Sequence, residues 1–177
     1  ITANGTSINT SGASAYGVFA RSGSVVAGTG TNVNTSGATA YGVYAVEGST
    51  ITLQDASITT TGTTGYGVLS YGANSRVNLS NVAVSTASGP GVTAWGTTPT
   101  DNVQANLTGG SVRTSGVNVN GLYVNNAFAS ITANGTQVNT TGQGSNAARV
   151  IDGTLTGTNL TLLANGADAP ALSLKGN

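Results

Sequence analysis

Residues 1–12 read ITANGTSINTSG and residues 131–142 read ITANGTQVNTTG; nine of the twelve positions are identical and the other three are mild exchanges. A chain that repeats itself across such a distance calls for a search for a shorter period between the copies, because an overlooked repeat misreads the whole fold. Aligned on the apolar residue that opens INTSG, the sequence gives Ile8, Val33, Ile58, Val84, Val112, Val138 and Leu162, spaced by 25, 25, 26, 28, 26 and 24 residues. Seven positions earlier stands a second column: Ile1, Val26, Ile51, Val77, Ala105, Ile131 and Leu155. A third column, Val18, Val43, Val68, Val92, Leu122, Ala148 and Leu172, keeps the same step and follows a Gly or Ala each time.

Each repeat holds three short extended segments, such as INT, YGVFA and STITL, separated by Gly, Ser, Asn and Asp clusters that read as turns. No window offers apolar residues at the i, i+3, i+4, i+7 spacing of a helix. Equal repeats of three strands predict a parallel β-helix, in which a coil with one apolar face is stable only when stacked on its neighbours. The expectation is an all-β, right-handed solenoid of about seven coils, with about 25 residues and three strands per coil, running as one unit over residues 1–177. At about 4.8 Å per coil the rod would be roughly 30 Å long.

Composition supports this and removes other classes. The chain has five acidic and five basic residues, 27 Gly, and no His, Cys or Met. An ordinary soluble domain has about a quarter of its residues charged, whereas a disordered chain combines low hydrophobicity with high net charge. Here the net charge is zero. Scattered basic residues argue against nucleic acid, which needs clustered Lys and Arg. No apolar run approaches the roughly 20 residues of a membrane-spanning helix.

Strand alternation assigns faces. The uniform column at Val18 and its equivalents points inward, as do Ala20, Ala45, Ser70, Ala94, Val124, Val150 and Leu174. The column between them, Phe19, Tyr44, Leu69, Thr93, Tyr123, Arg149 and Ser173, faces solvent. Thr10, Thr35, Thr60, Thr86, Thr114 and Thr140 form an inward row whose hydroxyls are expected to bond along the stack. Tyr16, Tyr41 and Tyr66 align at the corner before the third-column strand and read as a stacked ladder capping the core.

The segments TSGASAYGVFA and TSGATAYGVYA, the second followed by GSTITLQDASI, resemble the passenger region of bacterial autotransporters, the group of pertactin-like and self-associating adhesins. The likeness covers most of residues 1–177 and is strongest in the first three repeats; later the Tyr of AYG gives way to Pro90, Asn120, Asn146 and Pro170. The resemblance implies a β-helix exported through the outer membrane and displayed at the bacterial cell surface, acting in adhesion, aggregation or biofilm. Its partners would be a host matrix protein, a glycan, or an identical passenger on a neighbouring cell. The outer-membrane barrel of that family lies outside this sequence, so the chain reads as a piece of a longer passenger that is not itself membrane-inserted. No cofactor is implied.

Other chemistry was weighed against the residues. Polysaccharide-acting enzymes also use the β-helix and need carboxylates within about 5–10 Å of each other. The acids are Glu47, Asp55, Asp101, Asp152 and Asp168, and no two fall in register on adjacent coils. Without His or Cys the imidazole base, the thiol nucleophile and the usual zinc set are missing, so neither catalytic nor metal residues are assigned. Asp101, in TTPTDN of the 28-residue repeat, reads as an Asp-containing turn within the one expected loop excursion. Asn-x-Ser/Thr sequons are frequent, as such a composition makes them. An ice-binding surface would need a regular outward row, and Thr2, Ala27, Thr52, Asn78, Asn106, Thr132 and Thr156 is interrupted midway.

Two features are candidates for recognition. One is an outward aromatic stripe of Phe19, Tyr44, Leu69 and Tyr123, with Tyr71 and Trp95 two places further along their coils, suited to stacking on a sugar or anchoring a protein. The alternative is that these rings merely shield the edge of the core. The other is a polar flank, Asn9, Asn34, Thr59, Ser85 and Asn139, able to zip against an identical rod through many weak hydrogen bonds.

Overall fold

The computed structural model describes residues 1–176 and contains strands, turns and bends but no helix among them. Twenty-one strands build three parallel sheets of seven, each strand lying between its equivalents in the preceding and following coils. We call them sheet A (beginning with Thr2–Asn4), sheet B (Ser7–Thr10) and sheet C (Val18–Ala20). The chain visits A, B and C in turn, so one circuit consumes one sequence repeat: a β-solenoid of about seven turns.

Register follows the three sequence columns. Val26, Ile51, Val77, Ala105, Ile131 and Leu155 pair in succession in sheet A. Ile8 through Leu162 do so in sheet B. Val18 through Leu172 do so in sheet C. Together they form one continuous core of Val, Ile, Leu and Ala from Val18 to Val150. Burying each Val, Leu or Ile contributes roughly 1.5–3 kcal/mol, which is the force that stacks the coils. No aromatic ring is among the buried core residues.

The corner from sheet A to sheet B is made the same way in every coil. Gly5, Gly30, Asp55, Asn81, Gly109, Gly135 and Asn159 occupy it with φ between 49° and 66°. That left-handed conformation is open to Gly and tolerated by Asn and Asp, which explains why the position alternates among those three types only. Entry to sheet C is fixed by close approach. A Cβ on Gly42 would fall on Ile58 Cγ2 and 2.6 Å from the Gly67 carbonyl, and Gly17, Gly67, Gly91 and Gly121 are in the same situation.

Two expectations about side chains are corrected. The inward Thr hydroxyls do not bond up the stack. Thr10 donates to the Ala15 carbonyl (3.1 Å), Thr86 to Gly89 (2.6 Å) and Thr140 to Ser145 (3.0 Å), all within their own coil, while Thr60 and Thr114 find no partner. Equivalent hydroxyls lie about 4.8 Å apart, beyond the reach of an O–H···O bond. Asparagine spans that gap, because its amide carries a donor and an acceptor on opposite arms. Asn34 donates to Asn9 (3.0 Å), Asn106 to Asn78 (2.9 Å) and, in a buried site, Asn146 to Asn120 (2.8 Å), while Asn165 reaches diagonally to Asn139 (2.9 Å).

The second correction concerns Tyr16, Tyr41 and Tyr66, which lie on the outside of sheet C and do not cap the core. Gly17 and Val18 both turn inward at the bend, so the rings on either side of that pair, Tyr16 and Phe19, come out on the same face at 5.3 Å.

Candidate functional site: the outer face of sheet C and its loop

Nine aromatic residues occur in the chain, and all but Phe128 sit on strands of sheet C or at the corner leading into them. Seven of these eight form two groups, and Tyr123 lies in register with Thr93 and Arg149. Tyr16, Phe19, Tyr41, Tyr44 and Tyr66 make a continuous five-ring cluster: Tyr16 stacks on Tyr41 (5.2 Å, 24°), Phe19 on Tyr44 (5.3 Å, 25°), and Tyr41 meets Tyr66 edge to face (5.0 Å, 80°). In the third and fourth coils Tyr71 and Trp95 meet edge to face at 6.0 Å. Parallel register produces these contacts directly, since it sets Phe19 beside Tyr44 and Tyr71 beside Trp95.

The predicted stripe is therefore present, with one member removed and three added. Phe19 is 43 % exposed, and Tyr44, Tyr71, Trp95 and Tyr123 are half-buried. Leu69 points outward in register with Tyr44 but is only 5 % exposed, and Thr93 beyond it is fully buried. These two small positions are the floor between larger side chains, so Leu69 is not an exposed contact residue. The additions are Tyr16, Tyr41 and Tyr66. The signal for them was the spacing Tyr-Gly-Val-Phe/Tyr, in which a two-residue inward bend returns the flanking rings to one side. Burial, and then the neighbouring hydroxyls, push the phenols of Tyr41, Tyr44 and Tyr66 above the ordinary tyrosine range.

The polar flank lies on the outer face of sheet B. Asn9, Asn34, Thr59, Ser85 and Asn139 are in register there, with Arg113 between the last two and Leu163 beyond them. A shallow groove of about 300 Å³ follows the row past Asn9, Asn34 and Thr59, and another of about 180 Å³ follows Ser85, Arg113 and Asn139.

The loop excursion expected in the longest repeat is found at 96–102, seven residues where the other sheet C to sheet A connections have two to four. Asp101 holds it closed. Its carboxylate accepts from Thr97 N (2.7 Å), Thr97 Oγ1 (2.8 Å), Thr98 N (3.0 Å) and Thr98 Oγ1 (2.8 Å). Desolvation alone would raise its pKa, but these four bonds outweigh it and hold the carboxyl well below the usual carboxylate range. The loop borders an open cavity of about 440 Å³ lined also by Glu47, Tyr71 and the 72–74 corner. Neither Glu47 nor this cavity was singled out from the sequence as a binding site. The signal available was the 28-residue spacing, which marks where a regular coil must bulge.

The remaining acids have architectural positions: Glu47, Asp55, Asp152 and Asp168 all occupy left-handed corners, with φ of 54°, 49°, 56° and 55°. Among the described residues no group of three or more metal-ligating side chains occurs. The chain is thus a parallel β-solenoid repeat protein with one aromatic face. No protein-family model, no curated protein and no solved structure matches it.

Proposed function

We propose that this chain is a binding scaffold of the bacterial autotransporter passenger kind, displayed at the cell surface, whose activity is contact with a host or matrix ligand, protein or glycan. What carries the reading is the placement of the rings. A solenoid core of aliphatic side chains leaves the aromatics outside, yet they are gathered on one sheet and are absent from the strands of the other two. Exposed or half-exposed aromatics in a continuous patch are the residues that dominate recognition surfaces. The resemblance of TSGASAYGVFA and its second copy to passenger sequences supports the same setting.

Self-association through the outer face of sheet B is a second mode of contact open to the same rod, favoured by the register of Asn9, Asn34, Thr59 and Ser85. The deciding experiment displays the chain on beads and scores attachment to immobilised matrix proteins and glycans. Phe19→Ala with Tyr44→Ala should reduce attachment while leaving the far-ultraviolet circular dichroism of the solenoid unchanged. Attachment that survives the pair removes the aromatic face; clumping of the beads in the absence of ligand points instead to the flank.

A further inference from the structure

Two elements far apart in sequence line one groove together with Tyr71 and the 72–74 corner. One is the corner at 47–48, the other the loop at 96–102, and the cavity of about 440 Å³ between them is within the range of small-molecule sites, about 300–1,000 Å³. The loop is packed against the 72–74 corner: Gly72 donates to the Trp95 carbonyl (2.9 Å), and a Cβ at Gly72 would stand 3.4 Å from Thr97 Oγ1.

Apart from the Asn74 amide and the Tyr71 hydroxyl, the polar side chains of the lining offer acceptors. Thr97 and Thr98 both donate their hydroxyl protons to Asp101. Thr98 Oγ1 also lies 3.1 Å from Thr100 Oγ1, and with the Thr98 proton already committed, Thr100 is the donor in that contact. All three hydroxyl protons are therefore committed within the loop, and the oxygens are left to act as acceptors. Glu47 accepts from Ser22 Oγ on Oε2 (2.7 Å) and keeps Oε1 for another donor. Both charged groups in the lining are carboxylates. Glu47 itself holds a left-handed conformation (φ 54°) that is costly for a residue with a long side chain. The site is thus rich in acceptors, negatively charged, and walled by the half-buried ring of Tyr71.

We infer that this cavity binds a saccharide that carries no carboxylate or sulfate, its hydroxyls donating to Glu47 and the loop threonines and its C–H face lying on Tyr71. A pyranose supplies donors around its rim and a flat apolar face at once, matching acceptors that come from two separate elements around one aromatic ring. An acidic sugar would set its charge against Glu47 and Asp101. The inference rests on the adhesive reading above and narrows it to one ligand class at one place.

Trp95 is the sole tryptophan and touches Tyr71, so its emission reports occupancy of the cavity. The whole chain is titrated with cellotriose and triacetylchitotriose, with a heparin tetrasaccharide, and with a penta-lysine peptide. The expected result is a saturable change of Trp95 emission with a neutral trisaccharide, weakened about tenfold or more by Glu47→Gln, which removes a charged acceptor, and likewise by Tyr71→Ala. Val117→Ser, at an exposed corner between sheets B and C away from both ring groups, should leave this titration unchanged. Response to the heparin fragment or the lysine peptide alone overturns the ligand class. Neutral binding indifferent to both substitutions overturns the site, and silence with every probe overturns the inference. If the titration fails while Phe19→Ala with Tyr44→Ala abolishes bead attachment, the adhesive reading stands without the cavity; the reverse pattern removes the five-ring cluster and keeps the cavity.

Discussion

Replacing Gly42 by alanine puts a methyl group where the stack has no room for one. Built on the existing backbone, the new Cβ falls on Ile58 Cγ2, 2.6 Å from the Gly67 carbonyl oxygen and 3.3 Å from Thr60 Cγ2. Two of these three neighbours are core side chains and the third is backbone of the next coil, so relief requires the coils to separate locally. Overpacking of this kind costs typically 1–3 kcal/mol, and a backbone neighbour argues for the upper end, about 3 kcal/mol. The repeats themselves show how the strain is released. In the sixth coil the position equivalent to Gly42 is Ala147, and there the residue equivalent to Ile58 is Leu162, which has no branch at Cβ. The hydrogen bond from Ala147 N to the Pro170 carbonyl is 3.3 Å, against 2.9–3.0 Å from Gly17, Gly42, Gly67 and Gly91. Gly42→Ala should therefore lower the urea midpoint strongly. Ile58→Leu, a swap costing under about 1.5 kcal/mol by itself, should recover about 1 kcal/mol when added to it. A double-mutant cycle measured by urea denaturation gives the coupling. Additive costs, or a Gly42→Ala variant within about 0.5 kcal/mol of the parent, would refute the argument that the Gly column exists to admit β-branched neighbours.

Asp101 should make the loop acid-sensitive. Its folded-state pKa is depressed, so its stabilising contribution is present above the unfolded value of about 3.9 and is lost as pH falls from there toward the lower folded value. Asp101→Asn should cost about 2 kcal/mol at neutral pH, as loss of hydrogen bonds to a charged acceptor does. Its urea midpoint should then vary less than the parent's between about pH 5 and pH 2; parallel curves would contradict this. In the buried Asn146–Asn120 rung, Asn120→Ala strands the Asn146 amide and should cost about 1–3 kcal/mol. Asn120→Leu with Asn146→Leu should cost less than that single change, and a larger loss for the pair would show that the rung's worth lies in register rather than in satisfying the amide.

The fold was legible because parallel in-register stacking places each residue beside its equivalent one repeat away, so every structural column is also a sequence column. Val18 pairs with Val43 and Ile8 with Val33, as their spacing requires. What the spacing could not convey was direction at the bends. Strict alternation sends Tyr16 inward with Val18, but Gly17 and Val18 turn inward together and release Tyr16 to the surface beside Phe19. Nor could a column reveal cover: Leu69 faces outward as its place in the strand dictates and is still buried, beside Tyr44 of the preceding coil. The cavity under the 96–102 loop depends on contacts between residues with no fixed spacing at all, so only its location was foreshadowed, by the one repeat of 28 residues. These failures share a cause that also explains the site. Like lies over like in this stack, and a ring admitted to the core of one coil would demand a ring or a matching void in the next. With Gly pressed against Val and Ile at the entry to sheet C, the interior holds aliphatic and small polar side chains and no ring. The rings are therefore excluded from the core by the same repeat that makes the core, and they gather half-open on the outer face of sheet C, the surface that the proposed binding would use.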